Sequence, residues 1–111
     1  MEKSFFAQYC EERLGKVVLE NEHGFLSYQI AQGNKFYIED VFVKKDSRGS
    51  SEADVLFIEA HEVAKKQGFN EIYGSVFIKA FNAEKSMQML LARKFKFSHA
   101  HGEVIFLKKE I

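Results

Sequence analysis

Hydrophobic residues recur at three- and four-residue spacing in three segments of the chain, which is the pattern of a helix with one buried face. The strongest pattern covers residues 51–67, where apolar side chains alternate with charged ones. The apolar stripes place Val55, Ile58 and Leu91 among the side chains that we expect to be covered. The predicted helices span residues 4–14, 51–67 and 82–94, with candidate N-cap residues Ser4, Ser50, Ser51 and Asn82 and glycine stops at Gly15 and Gly68.

Runs of β-branched and aromatic residues lie between these segments and predict strands. The run at 36–43 is too apolar for a strand with one face in water, so we expect it to be central in its sheet. Strand 36–43, helix 51–67 and strand 71–78 form a βαβ unit, which predicts two parallel strands joined by a right-handed crossover. The predicted strands span residues 16–20, 25–32, 36–43, 71–78, 96–100 and 103–109.

The 111-residue chain is 46% hydrophobic and 29% charged, which is ordinary for one globular domain over residues 1–111. Its 16 basic and 16 acidic residues balance, so we expect neither nucleic acid nor an anionic membrane as a partner. Cys10 is the single cysteine, which excludes an internal disulfide and a Cys-rich metal site. Because the sequence shows no signal peptide and no apolar run of about 18 residues, we expect a cytoplasmic protein. We also expect no metal, because His99 and His101 have no carboxylate or cysteine partner at metal-ligand spacing.

A polar, basic loop at 44–50 leaves the central strand and enters the longest predicted helix. A helix N-terminus presents free backbone N–H groups and the positive end of the helix dipole, so this junction is a candidate anion site. Lys44, Lys45 and Arg48 add positive charge, and residues 48–53 carry little side-chain bulk, which lets the backbone approach a phosphate. The segment is neither a Walker loop nor a dinucleotide-binding fingerprint. The alternative is an ordinary loop that caps a helix.

The strand, the loop and the helix together resemble the acetyl-CoA signature of the GNAT superfamily of N-acetyltransferases. The resemblance is carried by Val41-Phe42-Val43, by Arg48-Gly49-Ser50-Ser51-Glu52-Ala53 and by the helix that ends at Gly68. It implies that the strand backbone binds the pantetheine arm, that loop N–H groups wrap the pyrophosphate and that Asn82 meets the CoA arm. It also implies that Phe95 or Phe97 is the aromatic residue after the second conserved helix. The implied cofactor-binding residues are Val41, Phe42, Val43, Arg48, Gly49, Ser50, Ser51, Glu52, Ala53 and Asn82.

Three positions depart from the family pattern. Ser51 stands where the family usually has glycine, which requires an ordinary φ there or a strained one. Leu90 stands where many members have a tyrosine that protonates the departing CoA thiolate, and Lys94 occupies a common glycine position. The family's first strand and first helix have no counterpart in the pattern, which leaves an edge that a second copy could cover and predicts a homodimer.

Glu39 and Asp40 are acidic residues inside the apolar central strand. One interpretation is structural: a carboxylate at the strand end is exposed or paired with a cation. The other is catalytic: one carboxylate takes the proton of an amine and the pair attracts a cationic substrate. Successive strand residues face opposite sides unless a bulge intervenes, so we expect one of the two, with Glu39 preferred, to face the cleft. Tyr37 and Tyr73, on adjacent strands, are candidate phenol donors whose simpler role is core packing.

The resemblance implies an α/β fold of the α+β type: a mixed, mostly antiparallel sheet with a central parallel pair that splays to admit the cofactor, and helices on both faces. The implied function is transfer of an acetyl group from acetyl-CoA to a primary amine, on a small molecule or a peptide, by direct attack. One alternative is a catalytically weak acyl-CoA-binding domain that acts by contacting a protein. The other is an interaction protein whose loop binds no cofactor. The acceptor is left open, because fold alone does not specify a substrate.

Overall fold

One six-stranded sheet organises residues 2–111, the part of the chain that the computed structural model describes. The strands are β1 (Val17–Glu20), β2 (Gly24–Ala31), β3 (Lys35–Val43), β4 (Glu71–Phe77), β5 (Lys96–His101) and β6 (Val104–Glu110). Their spatial order is β1-β2-β3-β4-β6-β5, and neighbouring strands are antiparallel except for the parallel pair of β3 and β4. The predicted mixed sheet with a parallel pair at its centre is confirmed.

All three predicted helices are present. They are α1 (Phe5–Tyr9), which continues as a π-helical segment (Cys10–Leu14), α2 (Glu52–Lys66) and α3 (Ala83–Ala92), with a 3-10 turn (Lys45–Ser47) before α2. The Ser4 hydroxyl caps α1 by accepting the Ala7 N–H at 3.0 Å, and Gly15 ends the π-helical segment with a φ of 66°. The π-helical half was not predicted by the spacing. No helix among residues 2–111 has both the length and the apolar character needed to cross a membrane.

The helices cover both faces of the sheet, as expected, but they cover them unequally. On one face, here called the helix face, α2 and α3 cover the main core, whose largest buried side chains include Phe36, Leu56 and Leu107. On the opposite face, here called the open face, α1 and the π-helical segment pack against β1, through Ala7, Cys10 and Val18, and against Phe25 of β2. The open face also carries an aromatic row in which His99 stacks on Phe106 and Phe106 meets Tyr37 edge-on.

Some details of the predicted helices are wrong. Ser51 and Asn82 stand at the N-cap positions of α2 and α3, but within residues 2–111 neither side chain makes a capping hydrogen bond. The Ser50 hydroxyl donates instead to the Ser47 carbonyl at 2.6 Å. Val55, Ile58 and Leu91 are exposed to 47%, 64% and 51%, because the contact between each helix and the sheet is narrower than its apolar stripe.

The parallel strands β3 and β4 separate soon after they meet. Their paired residues are Phe36 with Ile72 and Tyr37 with Tyr73, and the register contains no further pair among residues 2–111. Beyond Tyr37, β3 continues to Val43 alongside β2. The carboxyl ends of β3 and β4 therefore diverge, which confirms the predicted splay.

Candidate functional site

A cavity of about 180 Å³ lies in the gap between the diverging strands. Its walls come from β3, β4, α3 and one residue of α2. The lining residues are Ile38, Glu39, Asp40, Val41, Phe57, Gly74, Ser75, Ser86, Met89 and Leu90. Gly74 leaves space between β4 and α3, because a Cβ atom at this position would lie only 3.3 Å from a methyl carbon of Leu90. Leu90 is itself buried, so it fills the base of the gap as an apolar side chain.

A second cavity, of about 270 Å³, continues from the first toward the loop before α2. The two cavities share Val41 and Met89, so they form one path along the carboxyl half of β3. The structure thus brings together most of the residues predicted to bind the cofactor. The residues that line the second cavity are Val41, Phe42, Val43, Ser47, Arg48, Gly49, Ser50, Ala53 and Met89.

The loop and the first turn of α2 present unused backbone donors to this path. Among residues 2–111, no protein acceptor receives the N–H groups of residues 49–54, and the first hydrogen bond of the helix is made by the Val55 N–H. Gly49 adopts a φ of 85°, which favours glycine, whereas Ser51 has an ordinary φ of −87°. Serine at the usual glycine position is therefore accommodated without strain, and free N–H groups with a helix dipole make an anion site.

Arg48 is held at the junction of β3 and the loop. Its Nε donates to the Val43 carbonyl at 2.9 Å, and its guanidinium lies over the Phe42 ring, 5.5 Å from the ring centre. The side chain is otherwise exposed, which leaves guanidinium N–H groups available to an anion.

His23, in the turn between β1 and β2, supports the same loop and was missed by the sequence analysis. Its Nδ1 lies 2.9 Å from the Ser47 hydroxyl, and its Nε2 lies 3.8 Å from a carboxylate oxygen of Glu52. The Lys44 N–H donates to the His23 carbonyl at 2.8 Å. Only the turn itself was visible in the sequence, since no local pattern encodes a contact between separate loops.

The residues at the two ends of α3 to which the resemblance gave a role differ in where they lie. Asn82 precedes α3 with a φ of 63° and lines neither cavity. Lys94 has a φ of 70°, as expected of a residue at a glycine position. Phe95 is 3% exposed and Phe97 is 64% exposed, so Phe95 is the residue that packs after the helix.

Glu39 and Asp40 lie at a β-bulge. Ser27 of β2 pairs with Asp40 while the next residue, Tyr28, pairs with Ile38, which leaves Glu39 as the extra residue of β3. Both carboxylates meet Lys16: its Nζ lies 2.6 Å from Glu39 Oε2 and 3.7 Å from Asp40 Oδ2. The sequence analysis expected one of the two to face the cleft unless a bulge intervened. The bulge is present, and both carboxylates line the first cavity and reach the same ammonium.

Two groups near this bulge, Lys16 and Tyr37, have raised pKa values. The hydrogen bond to Glu39 raises the pKa of the Lys16 ammonium, against the opposing effect of burial. Burial raises the pKa of the Tyr37 phenol, and the Glu39 charge adds to the increase while the Ser75 hydroxyl opposes it. At neutral pH, Lys16 is therefore a cation and Tyr37 a neutral hydrogen-bond donor.

A larger cavity, of about 690 Å³, lies between α2 and the end of α3 and is lined by none of the residues predicted to bind the cofactor or to act as the base. One of its walls is Arg93, which pairs with Asp54 at 2.9 Å and lies over Phe57. Among residues 2–111, no three His, Cys, Asp or Glu side chains are grouped as a metal would require.

Comparison with known proteins gives matches in structure only. No family model matches the sequence, and no curated protein does. PaiA N-acetyltransferase from Thermoplasma acidophilum, solved in complex with coenzyme A, matches with a TM-score of 0.73 and 17% identity over 94% of this chain and 66% of that one. A GNAT-family acetyltransferase from Listeria monocytogenes matches with a TM-score of 0.71 and 15% identity over 93% of this chain and 70% of that one.

A shorter protein also matches. The anti-CRISPR protein AcrVA5 has a TM-score of 0.66 and 17% identity, and the match covers 83% of this chain and 97% of that one. This chain spans just under two thirds of the length of the Thermoplasma enzyme. Together with the splayed parallel pair in a mostly antiparallel sheet, these matches establish that the chain has the fold of the GNAT acetyltransferases.

Proposed function

We propose that this chain is a member of the GNAT superfamily that transfers an acetyl group from acetyl-CoA to a primary amine. The observation that carries the proposal is the continuous path from the gap between β3 and β4 to the free N–H groups at the start of α2. A thioester with a long arm and a pyrophosphate fits such a path. Its acyl end would enter the gap, and its anionic end would meet the loop.

Cofactor binding is assigned to the backbone more than to side chains. Residues 41–43 would bond the pantetheine arm, and the N–H groups of residues 49–53 would hold the pyrophosphate, with Arg48 as the charged partner. Asn82 keeps its predicted role at the CoA arm as part of the proposal. Ser51 and Glu52 contribute through the backbone, since Glu52 directs its carboxylate toward His23.

The chemistry is a direct transfer. The protonated amine loses one proton to Glu39 or Asp40, and the lone pair that this frees attacks the thioester carbonyl. The C–S bond breaks as the C–N bond forms, and the nitrogen releases its second proton to water. Holding the two reactants in the gap supplies most of the acceleration. Leu90 cannot protonate the departing thiolate. Because a thiol has an ordinary pKa near 8.5, the leaving group is stable enough to take its proton from water or from the carboxylate that received it.

The acceptor class follows from the carboxylates. Glu39 and Asp40 attract a cation, so the substrate of this proposal is a small-molecule or peptide amine that is protonated in solution. The protein would work in a reducing compartment such as the cytoplasm, since its only cysteine, Cys10, is a buried free thiol. A homodimer is part of the proposal, with the exposed side chains of Phe5, Phe6 and Tyr9 as candidate contacts.

The second candidate function is that of an acyl-CoA-binding domain with little turnover, which acts by contacting a protein. Two observations favour it, the apolar Leu90 in the gap and the pairing of Glu39 with Lys16. Both functions require CoA binding, so turnover with amines separates them.

The first experiment is calorimetric titration of acetyl-CoA into the wild type and into Arg48→Glu. We expect micromolar binding that the variant weakens by about tenfold or more, because a like charge faces the pyrophosphate. The matched control is Arg13→Glu, a charge reversal on the exposed side of the π-helical segment, which should leave the affinity unchanged. Absence of binding by the wild type would overturn the proposed function, and equal loss in both variants would remove Arg48 from the site.

A further inference from the structure

We propose that Lys16 is a self-acylation site, at which the chain transfers an acyl group from its own bound acyl-CoA to its own lysine. The proposal rests on the proposed function for the acyl donor. Its independent basis is an amine paired with the two carboxylates that line the gap and that would otherwise receive an external amine.

Lys16 is fixed in place by the chain around it. It follows Gly15, which ends the π-helical segment, and its backbone N–H donates to the Cys10 carbonyl at 3.1 Å. Its side chain is 27% exposed and ends 2.6 Å from Glu39 Oε2. The amine is therefore held at the bulge and is not a freely moving surface group.

The Lys16 amine also lies on the face of the sheet opposite to the donor path. Val18 pairs with Ser27, and Ser27 pairs with Asp40, so these residues share the open face, and the Ser27 hydroxyl donates to Asp40 at 3.4 Å. Lys16 reaches Asp40 from this face, whereas the donor path is walled by α2 and α3 on the helix face. A donor that enters from the helix face and an amine that waits on the open face would meet in the gap between β3 and β4.

Other paired lysines lack this placement. Lys79 pairs with Glu103 at 2.7 Å, almost the same distance as the Lys16 pair, but its side chain is 69% exposed. Its partner Glu103 lines neither cavity of the donor path, whereas Glu39 and Asp40, the partners of Lys16, line the first cavity. Non-enzymatic acetylation by a thioester favours the more exposed amine. The extent of acetylation at Lys79 therefore serves as an internal control for the non-enzymatic reaction.

The reaction balances with acetyl-CoA as the only co-reactant. The ammonium of Lys16 gives a proton to the Glu39 carboxylate, and the free amine attacks the thioester carbonyl carbon. The C–N bond forms, the C–S bond breaks, and the CoA thiolate leaves and takes the proton from Glu39, while the attacking nitrogen releases its second proton to water. The products are N-acetyl-Lys16, CoA and one proton. The amide is neutral, so Glu39 and Asp40 lose their internal cation and become available to an external amine.

The test is incubation of the wild type with acetyl-CoA, followed by peptide mass mapping of Lys16 and Lys79 over time. We expect Lys16 to be acetylated at least about tenfold faster than Lys79, at a rate that saturates with acetyl-CoA and does not depend on protein concentration. Glu39→Gln should slow the reaction at Lys16 and leave Lys79 unchanged. Lys16→Arg keeps the charge at the ion pair, so it should fold and bind acetyl-CoA while gaining no acetyl group at that position.

Calorimetric titration of acetyl-CoA into the same preparation separates the two proposals. Binding without preferential acetylation of Lys16 would overturn self-acylation and leave the proposed function standing. Modification of Lys16 at the same rate in urea-unfolded protein would also overturn it, since the fold would then contribute nothing. A wild type that does not bind acetyl-CoA would overturn both proposals.

Discussion

The two carboxylates at the bulge of β3 differ in their surroundings. Glu39 is 17% exposed and is the closer partner of Lys16, whereas Asp40 is 62% exposed and also accepts from Ser27. A proton acceptor in a shielded position interacts more strongly with the group that it serves. The asymmetry makes Glu39 the better candidate for the base and Asp40 the better candidate for attracting cations.

Substitution of each carboxylate by its amide tests this difference. We expect Glu39→Gln to lower kcat about a hundredfold, the ordinary contribution of a general base, and to leave the affinity for acetyl-CoA unchanged. Asp40→Asn should lower kcat less and raise the KM for cationic amines. The measurement is thiol release over a panel of amines. Equal kcat values for the wild type and Glu39→Gln would remove Glu39 as the base.

The sequence predicted which residues of β3 matter, but not how they are connected. Two acidic residues in an apolar strand are conspicuous, so Glu39 and Asp40 could be selected without a structure. Their partner Lys16 could not, because it reaches β3 from the far side of β2 and no local spacing encodes that contact. The bulge was foreseen only as a condition, since register depends on pairing with Ser27 and Tyr28.

At the scale of elements, α3 ends with a strained residue. Lys94 adopts a φ of 70°, and the N–H of the next residue, Phe95, donates to the Leu90 carbonyl at 3.1 Å, which closes the helix. A left-handed conformation costs a non-glycine residue about 1–2 kcal/mol. Glycine at this position would remove that steric cost. Because glycine loses more backbone entropy on folding, only part of the gain would appear as stability.

Lys94→Gly is therefore expected to stabilise the protein by up to about 1 kcal/mol. The matched control is Lys85→Gly inside α3, where the same change should destabilise by up to about 1 kcal/mol. Urea unfolding of both variants against the wild type measures the difference. A loss of stability in Lys94→Gly would mean that the lysine side chain contributes more than its backbone costs.

The elements themselves were predictable because each has a clear period and clear ends. Helix 4–14 was bounded by Ser4 and Gly15, and both work as predicted. The width of a buried stripe was not predictable: Ile58 and Leu91 continue the apolar period, but both side chains are exposed. Periodicity specifies the direction of a helix face, and neighbouring elements decide how much of it is covered.

At the scale of the whole molecule, the proposed function places the donor and the acceptor on opposite faces of one sheet. The helix face holds the core, and with it the path proposed for the donor. The open face carries Lys16 and Tyr37, and the proposal places the acceptor there. The acceptor could not be predicted from sequence, since it depends on which side chains meet across strands that are distant in the chain.

Lys16 and Tyr37, on the open face, contribute to the pH dependence of folding. The raised pKa of Lys16 comes first from its hydrogen bond to Glu39, and that of Tyr37 comes first from burial. From their ordinary values of 10.5 and 10.0, each group in the folded state keeps its proton to a higher pH than in the unfolded chain. Above about pH 10 the folded state therefore binds more protons, and the free energy of unfolding falls as pH rises.

Urea unfolding between about pH 8 and pH 11 should show a stability that is level at first and declines above about pH 10. Lys16→Met should be less stable than the wild type at pH 8, because Glu39 loses its partner, and its alkaline decline should be shallower. Lys79→Met, which loses a largely exposed ion pair, should retain both the wild-type stability and the wild-type slope. An unchanged slope in Lys16→Met would mean that Lys16 binds its proton equally in both states, so that the pairing at the bulge does not stabilise the fold.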